Sequence, residues 1–192
     1  YNPNGITTDG TNLYVADMYN NTIRKIVIAT KVVSTLAGTA ASTGSTDGSG
    51  TEALFKQPKR ITTDGTNLYV VDAANHTIRK IVIATEVVST LAATAGNHGS
   101  DDGDGTLAKF LYPEGITTDG TNLYVADSSN NTIRKIVIAT GTVTTLSGEV
   151  STEGIADGTL PNATFSLPTG ITTDGTKLYV STQNGMSHYA NY

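Results

Sequence analysis

Aspartate is the residue whose placement most invites a chemical role. Asp9, Asp64, Asp119 and Asp174 stand 55 positions apart, each followed by glycine, and Asp17, Asp72 and Asp127 keep the same step. Carboxylates in such an array could pair for acid–base work or ligate a hard cation. An Asp-Gly pair in a turn, however, needs no ligand to explain it, and a carboxylate at a strand end accepts turn N–H groups. A residue present in every copy of a repeat is expected to hold the copies together. The densest acidic stretch, Asp101-Asp102-Gly103-Asp104-Gly105, lacks the Gly spacing and the downstream bidentate Glu of an EF-hand. Its counterparts at Asp47-Gly48 and Asp157-Gly158 carry fewer carboxylates, so a solvated turn is expected there and no metal site.

The other reactive side chains are scattered. His76, His98 and His188 each occur once, and only His76 falls on the repeat frame, where it replaces an Asn. There is no Cys, hence no thiolate for zinc or catalysis and no disulfide. Thr is abundant, at 34 residues, but no G-x-S-x-G and no paired base accompanies the hydroxyls. No catalytic residue and no cofactor is therefore expected. Arg24-Lys25, Arg79-Lys80 and Arg134-Lys135 supply half of the 12 basic residues and are expected on the surface, paired with local carboxylates. A net charge of −5 offers no footprint for nucleic acid or anionic lipid. No apolar run approaches the roughly 18 residues of a membrane-inserted helix.

The elements that position these residues follow from the repeat. ITTDGT occurs at 6–11, 61–66, 116–121 and 171–176, with LYV two residues later each time. TIRKIVIAT begins at Thr22, Thr77 and Thr132, and Pro3, Pro58, Pro113 and Pro168 share the frame with Phe55, Phe110 and Phe165. Within one period the signals are for four strands, A (Ile6–Asp9), B (Leu13–Asp17), C (Thr22–Ile28) and D (Val33–Ala37), separated by Gly/Asn/Asp turns. Ile23 and Ile26 are three apart, which breaks the two-residue alternation and predicts a bulge. A Gly/Ser/Thr/Asp-rich loop over Thr39–Thr51 leads to the next unit. The fold class is all-β: a β-propeller of four-stranded antiparallel blades, 55 residues each. The units run 1–55, 56–110 and 111–165, with a partial unit over 166–192. The repeated Tyr14, Tyr69, Tyr124 and Tyr179 should occupy equivalent places, and the three Phe should fill the seams between blades.

The residues resemble the NHL repeat. Pro3, Gly5, Tyr14-Val15-Ala16-Asp17, Asn21 and Ile23-Arg24-Lys25 follow that pattern, as do Asp47, Gly48, Gly50, Ala53, Phe55 and Pro58. The second unit departs from it at Arg60, in place of Gly, and the third at Leu160. The fourth loses it after Val180. The resemblance implies a six-bladed ring, of which this chain carries about 3.5 blades. The expectation is a piece of a longer array, or a ring completed by self-association. Propeller lyases and lactonases that resemble this family hold metal around the central channel, yet no His recurs in the Ile-Thr-Thr-Asp strand that would line it.

Comparing the copies places the variation on one side. The A–B turn is nearly constant, whereas the B–C turn reads Met18-Tyr19-Asn20, Ala73-Ala74-Asn75 and Ser128-Ser129-Asn130. The residue ahead of strand A is Asn4, Lys59, Glu114 or Thr169. In a propeller the B–C and D–A loops share a face, so Tyr19, Lys59, Arg60, His76 and Glu114 are the candidate ligand contacts. The expected function is a non-enzymatic module binding a protein or glycan, extracellular or at a bacterial cell surface. The alternative is a fragment of a propeller lyase or lactonase whose metal lies in other blades.

Overall fold

The computed structural model describes residues 1–158 and 162–183 in full and 187–191 as backbone. The first antiparallel sheet orders β1 (Pro3–Thr8), β2 (Asn12–Asp17), β3 (Thr22–Val27) and β4 (Val33–Ala37) sequentially. The second contains β5 (Gly48–Ser49), β6 (Pro58–Thr63), β7 (Asn67–Asp72), β8 (Thr77–Val82) and β9 (Val87–Ala92), in the order β5-β9-β8-β7-β6. The third runs through β10 (Gly115–Thr118), β11 (Asn122–Asp127), β12 (Thr132–Val137) and β13 (Val143–Ser147). The fourth joins β14 (Pro168–Thr173), β15 (Lys177–Thr182) and β16 (Ser187–Asn191). The inner strands β1, β6, β10 and β14 touch one another in that order, so the sheets fan about a shared axis. The altered sequence beyond Val180 includes His188, whose side chain lies outside the described residues, as does Leu160.

Strand edges follow local chemistry more closely than the hydrophobic pattern suggests. The inner strand starts at Pro3, three residues ahead of the expected Ile6, because pairing with β2 continues through a register shift between Pro3 and Gly5. The A–B turn closes on its own carboxylate. Asp9 accepts the N–H groups of Thr11 at 2.8 Å and Asn12 at 2.6 Å, and the Tyr14 hydroxyl at 2.8 Å. Gly10 takes φ +88°, which a side chain would resist. Asp64, Asp119 and Asp174 repeat this motif with Tyr69, Tyr124 and Tyr179. The B–C turn is a single 3-10 turn ending on a left-handed residue, Asn21, His76 or Asn131. The expected bulge exists, but in the C–D pairing. Ile23 faces Ala37 while Arg24 faces Thr35, which leaves Leu36 as the extra residue on β4.

The Thr39–Thr51 loop is not free. Its β5 pairs antiparallel with β9 of the following sheet, so the first unit reaches onto the second. The same crossing recurs as a bridge from Gly103 to Val143. Phe55, Phe110 and Phe165 then drop into the seams and are at most 1% exposed. One seam gathers Tyr14, Ala16, Ile23 and Phe55 against Leu68, Val70, Ile81 and Val88. The next repeats this with Tyr69, Ile78 and Phe110 against Leu123, Val125 and Ile136.

The arginines correct the surface expectation. Arg79 and Arg134 are fully buried. β8 alternates so that Arg79 lies opposite Val70 on the face that meets the preceding unit. Its guanidinium binds Asp72 at 3.1 Å and Asp47 of the crossing loop at 2.6 Å. It also donates to the carbonyls of Leu54 and Thr46 and lies 5.1 Å from the centre of the Phe55 ring. Arg134 repeats every contact with Asp127, Asp102, Lys109, Asp101 and Phe110. The acidic loop at 101–105 is therefore a clamp rather than a solvated turn. Asp102 holds Arg134 and Thr145, and Asp104 accepts from Thr142. Asp72 and Asp127 do accept backbone N–H groups, but from Lys56 and Leu111 of the incoming chain.

Removing one partner of a buried ion pair strands the other charge, at a cost of about 3–5 kcal/mol. Truncating a buried Phe costs a similar ~3–5 kcal/mol. Asp127→Ala and Phe110→Ala should each lower the melting temperature strongly, whereas Glu149→Ala, on an exposed loop, should not. Calorimetry that finds all three alike would contradict this assignment of the seam.

Candidate functional site

The starts of the inner strands, the B–C turns and the incoming D–A segments all emerge at one end of the fan. Between the inner strands opens a cleft of about 250 Å³, lined by Gly5, Ile6, Arg60, Ile61, Gly115, Ile116, Gly170 and Ile171. The strands converge closely because glycine leaves no side chain there. A Cβ on Gly5 would lie 2.8 Å from the Arg60 Cα, and one on Gly115 would lie 2.8 Å from the Thr169 carbonyl.

Of the five candidate contacts, Arg60 lines this cleft. Arg60 occupies the frame position that is Gly in the other three units, and its guanidinium donates to the Asn4 carbonyl at 3.2 Å. Lys59 donates to Glu114, so one charge pair bridges two adjacent units. Tyr19 is 48% exposed, stacks at 5.8 Å from Tyr1, and sits on a turn that touches β6.

His76 is placed differently. It is 7% exposed, and its Nδ1 accepts the Tyr112 N–H at 3.0 Å. Asn21 and Asn131 make the same bond to Gln57 and Leu167 with a side-chain oxygen. The imidazole thus substitutes for an amide in the scaffold and is not presented to solvent. What it supports is Tyr112, packed edge-on at 4.5 Å and 51% exposed. Sequence reasoning missed Tyr112. The signal was present: Asn2, Gln57, Tyr112 and Leu167 vary at one frame position, and all four have positive φ.

The carboxylates divide into two electrostatic classes. Burial raises Asp64 and Asp119, but donors from Asn67 and Tyr69, and from Asn122 and Tyr124, outweigh it and hold both below the usual carboxylate range. Burial pushes Asp72 and Asp127 up to about 6, against the opposing hydrogen bonds from Asn75 and Lys56, and from Leu111 and Asn130, and the attraction of Arg79 and Arg134. Among the described residues no group of three His, Cys, Asp or Glu side chains is gathered as a metal ion requires. None of the described helices is long and apolar enough to cross a membrane.

Two comparisons with known proteins bear on this arrangement, while no protein-family model matches the sequence. Human NHL repeat-containing protein 2 is 30% identical over 174 residues, 81% of this chain. The chain belongs to the NHL-repeat β-propeller family. An Arabidopsis thaliana relative, the chloroplastic protein SUPPRESSOR OF QUENCHING 1, is 34% identical over 151 residues. This NHL chain spans 24% of the human protein's length and 14% of the plant protein's. Among solved structures, a Bacteroides thetaiotaomicron protein of unknown function is similar over 96% of this chain and 46% of its own, at TM-score 0.79 and 25% identity. An auxiliary nutrient binding protein from the same organism matches 88% of this chain and 42% of its own, at TM-score 0.67 and 20% identity. A streptogramin B lyase matches 99% of this chain and 54% of its own, at TM-score 0.57 and 12% identity. Likenesses at 20% and 12% identity establish the propeller fold and nothing finer.

His76 sets a testable pH dependence. Burial first, then His98 and Lys56, lower its proton affinity below the ordinary imidazole value. Above about pH 6.5 it is neutral in both folded and unfolded chains and contributes no pH dependence. Below that, the unfolded chain takes up a proton that the folded one resists, so stability falls as the solution is acidified. His76→Asn installs the sister residue and should flatten the loss of melting temperature between about pH 7 and about pH 5. Identical slopes for the two proteins would contradict the placement.

Proposed function

We propose that the chain is a non-enzymatic binding module whose ligand, a protein or glycan, docks on the face formed by the B–C turns and D–A segments, outside the cell or at a bacterial surface. The observation that carries this reading is a rigid repeated scaffold whose differences between copies concentrate at one end. Arg60 lines the axial cleft, Lys59 and Glu114 pair across two adjacent units, and Tyr19 and Tyr112 are about half exposed. Tyr and Arg are the types that dominate interface energetics, and loops on a rigid scaffold are where binding concentrates. His76 contributes by fixing Tyr112. The likeness to a nutrient binding protein is consistent with a ligand-binding role. The plant relative is chloroplastic, so the family does not share one compartment. The unit boundaries at 55, 110 and 165 belong to the same proposal, as does completion of the ring by further blades of a longer chain or by self-association. The alternative, a fragment of a propeller lyase or lactonase, requires a metal site in other blades. Metal analysis of the longest natural form separates the two: a stoichiometric, tightly held divalent ion favours the enzyme.

The direct test screens the chain against a glycan array and a panel of bacterial surface proteins, together with a variant carrying Tyr19→Ser, Lys59→Thr, Tyr112→Gln and Glu114→Thr. Each change installs a sister unit's residue, so the variant should melt as the parent does. Its affinity for whatever ligand the parent binds should fall at least about tenfold, or ~1.4 kcal/mol. Undiminished binding by the folded variant would show that the ligand docks elsewhere.

A further inference from the structure

The axial cleft carries one charge that the rest of the molecule leaves unmatched. Lys59 is neutralised by Glu114, Arg79 by Asp47 and Asp72, and Arg134 by Asp102 and Asp127. Arg60 uses one N–H on the Asn4 carbonyl and meets no carboxylate among the described residues. A guanidinium carries five donors in a planar fork that matches a carboxylate, and a weakly polar wall strengthens that attraction. Ile6, Ile61, Ile116 and Ile171 line the cleft beside Arg60 and the backbone of three glycines.

The rest of the cleft surface suits hydroxyl groups. β1, β6, β10 and β14 are terminal strands of their sheets, so their inner edges have no strand partner. Such edges present both N–H donors and C=O acceptors. A space of about 250 Å³ suits one small ring and not an extended chain.

We propose that this cleft binds a small hydroxylated carboxylate, of the sugar-acid class. Its carboxylate pairs with Arg60, its hydroxyls meet the strand edges, and its C–H face lies on the isoleucines. This rests on the reading of the variable face as a ligand-binding surface and names the ligand chemistry at its centre. A longer acidic glycan enters by its terminal residue.

The probes are glucuronate and glucose, which share a ring and differ in charge. Methyl NMR should show saturable shifts of Ile61 and Ile116 on titration with glucuronate, and binding at least about tenfold weaker for glucose. Arg60→Gly restores the residue of the sister units and should abolish the difference between the two sugars while leaving the melting temperature intact. No saturable shift with glucuronate, equal affinity for the two sugars, or a preference that survives Arg60→Gly would each overturn the proposal. The four-residue rim variant keeps Arg60, so its loss of a larger ligand tests the binding face independently of this cleft.

Discussion

The fold depends on a buried guanidinium shared between successive units. Arg79 and Arg134 each tie together a carboxylate of their own sheet and a carboxylate, two carbonyls and a Phe ring from the segment arriving out of the previous unit. A buried ion pair of this kind adds little net stability compared with a hydrophobic replacement, because desolvation offsets most of the attraction. What it supplies is register. The guanidinium accepts one geometry, and that geometry fixes how the crossing loop, the Phe and the next inner strand sit.

This anchoring leaves one end of the fan free to vary. The clamps, the Phe seams and the Asp–Tyr turns hold the sheets through side chains that recur every unit. The positions ahead of each inner strand and in the B–C turns carry little of that load. Charge and aromatic differences can therefore accumulate there without disturbing the scaffold. His76 shows how tight the limit is: an imidazole replaces an asparagine only because its ring nitrogen accepts the same backbone N–H.

The period, the four strands per unit and the aromatic seams were legible in the sequence because each rests on spacing alone. The buried arginines were not. A TIRK stretch reads as exposed when strand C is considered by itself; its burial follows from the neighbour's loop reaching over it, with Asp47 lying 32 positions ahead of Arg79. The Asp-Gly return was read as a turn for the same reason, since its partner lies in the next unit. At the candidate face, Lys59, Arg60 and Glu114 were found by comparing copies, while Tyr112 was hidden by a frame position whose four residues share only a backbone conformation.

Rigidity of the arginine side chains reports on the clamp most directly. Nitrogen-15 spectra of the guanidinium groups should show Arg79 and Arg134 with slowed rotation and protected, individually resolved Nη protons. Arg60, which is exposed, should give averaged, rapidly exchanging signals. Arg79 and Arg134 exchanging as fast as Arg60 would contradict the claim that buried guanidinium groups set the register of this propeller.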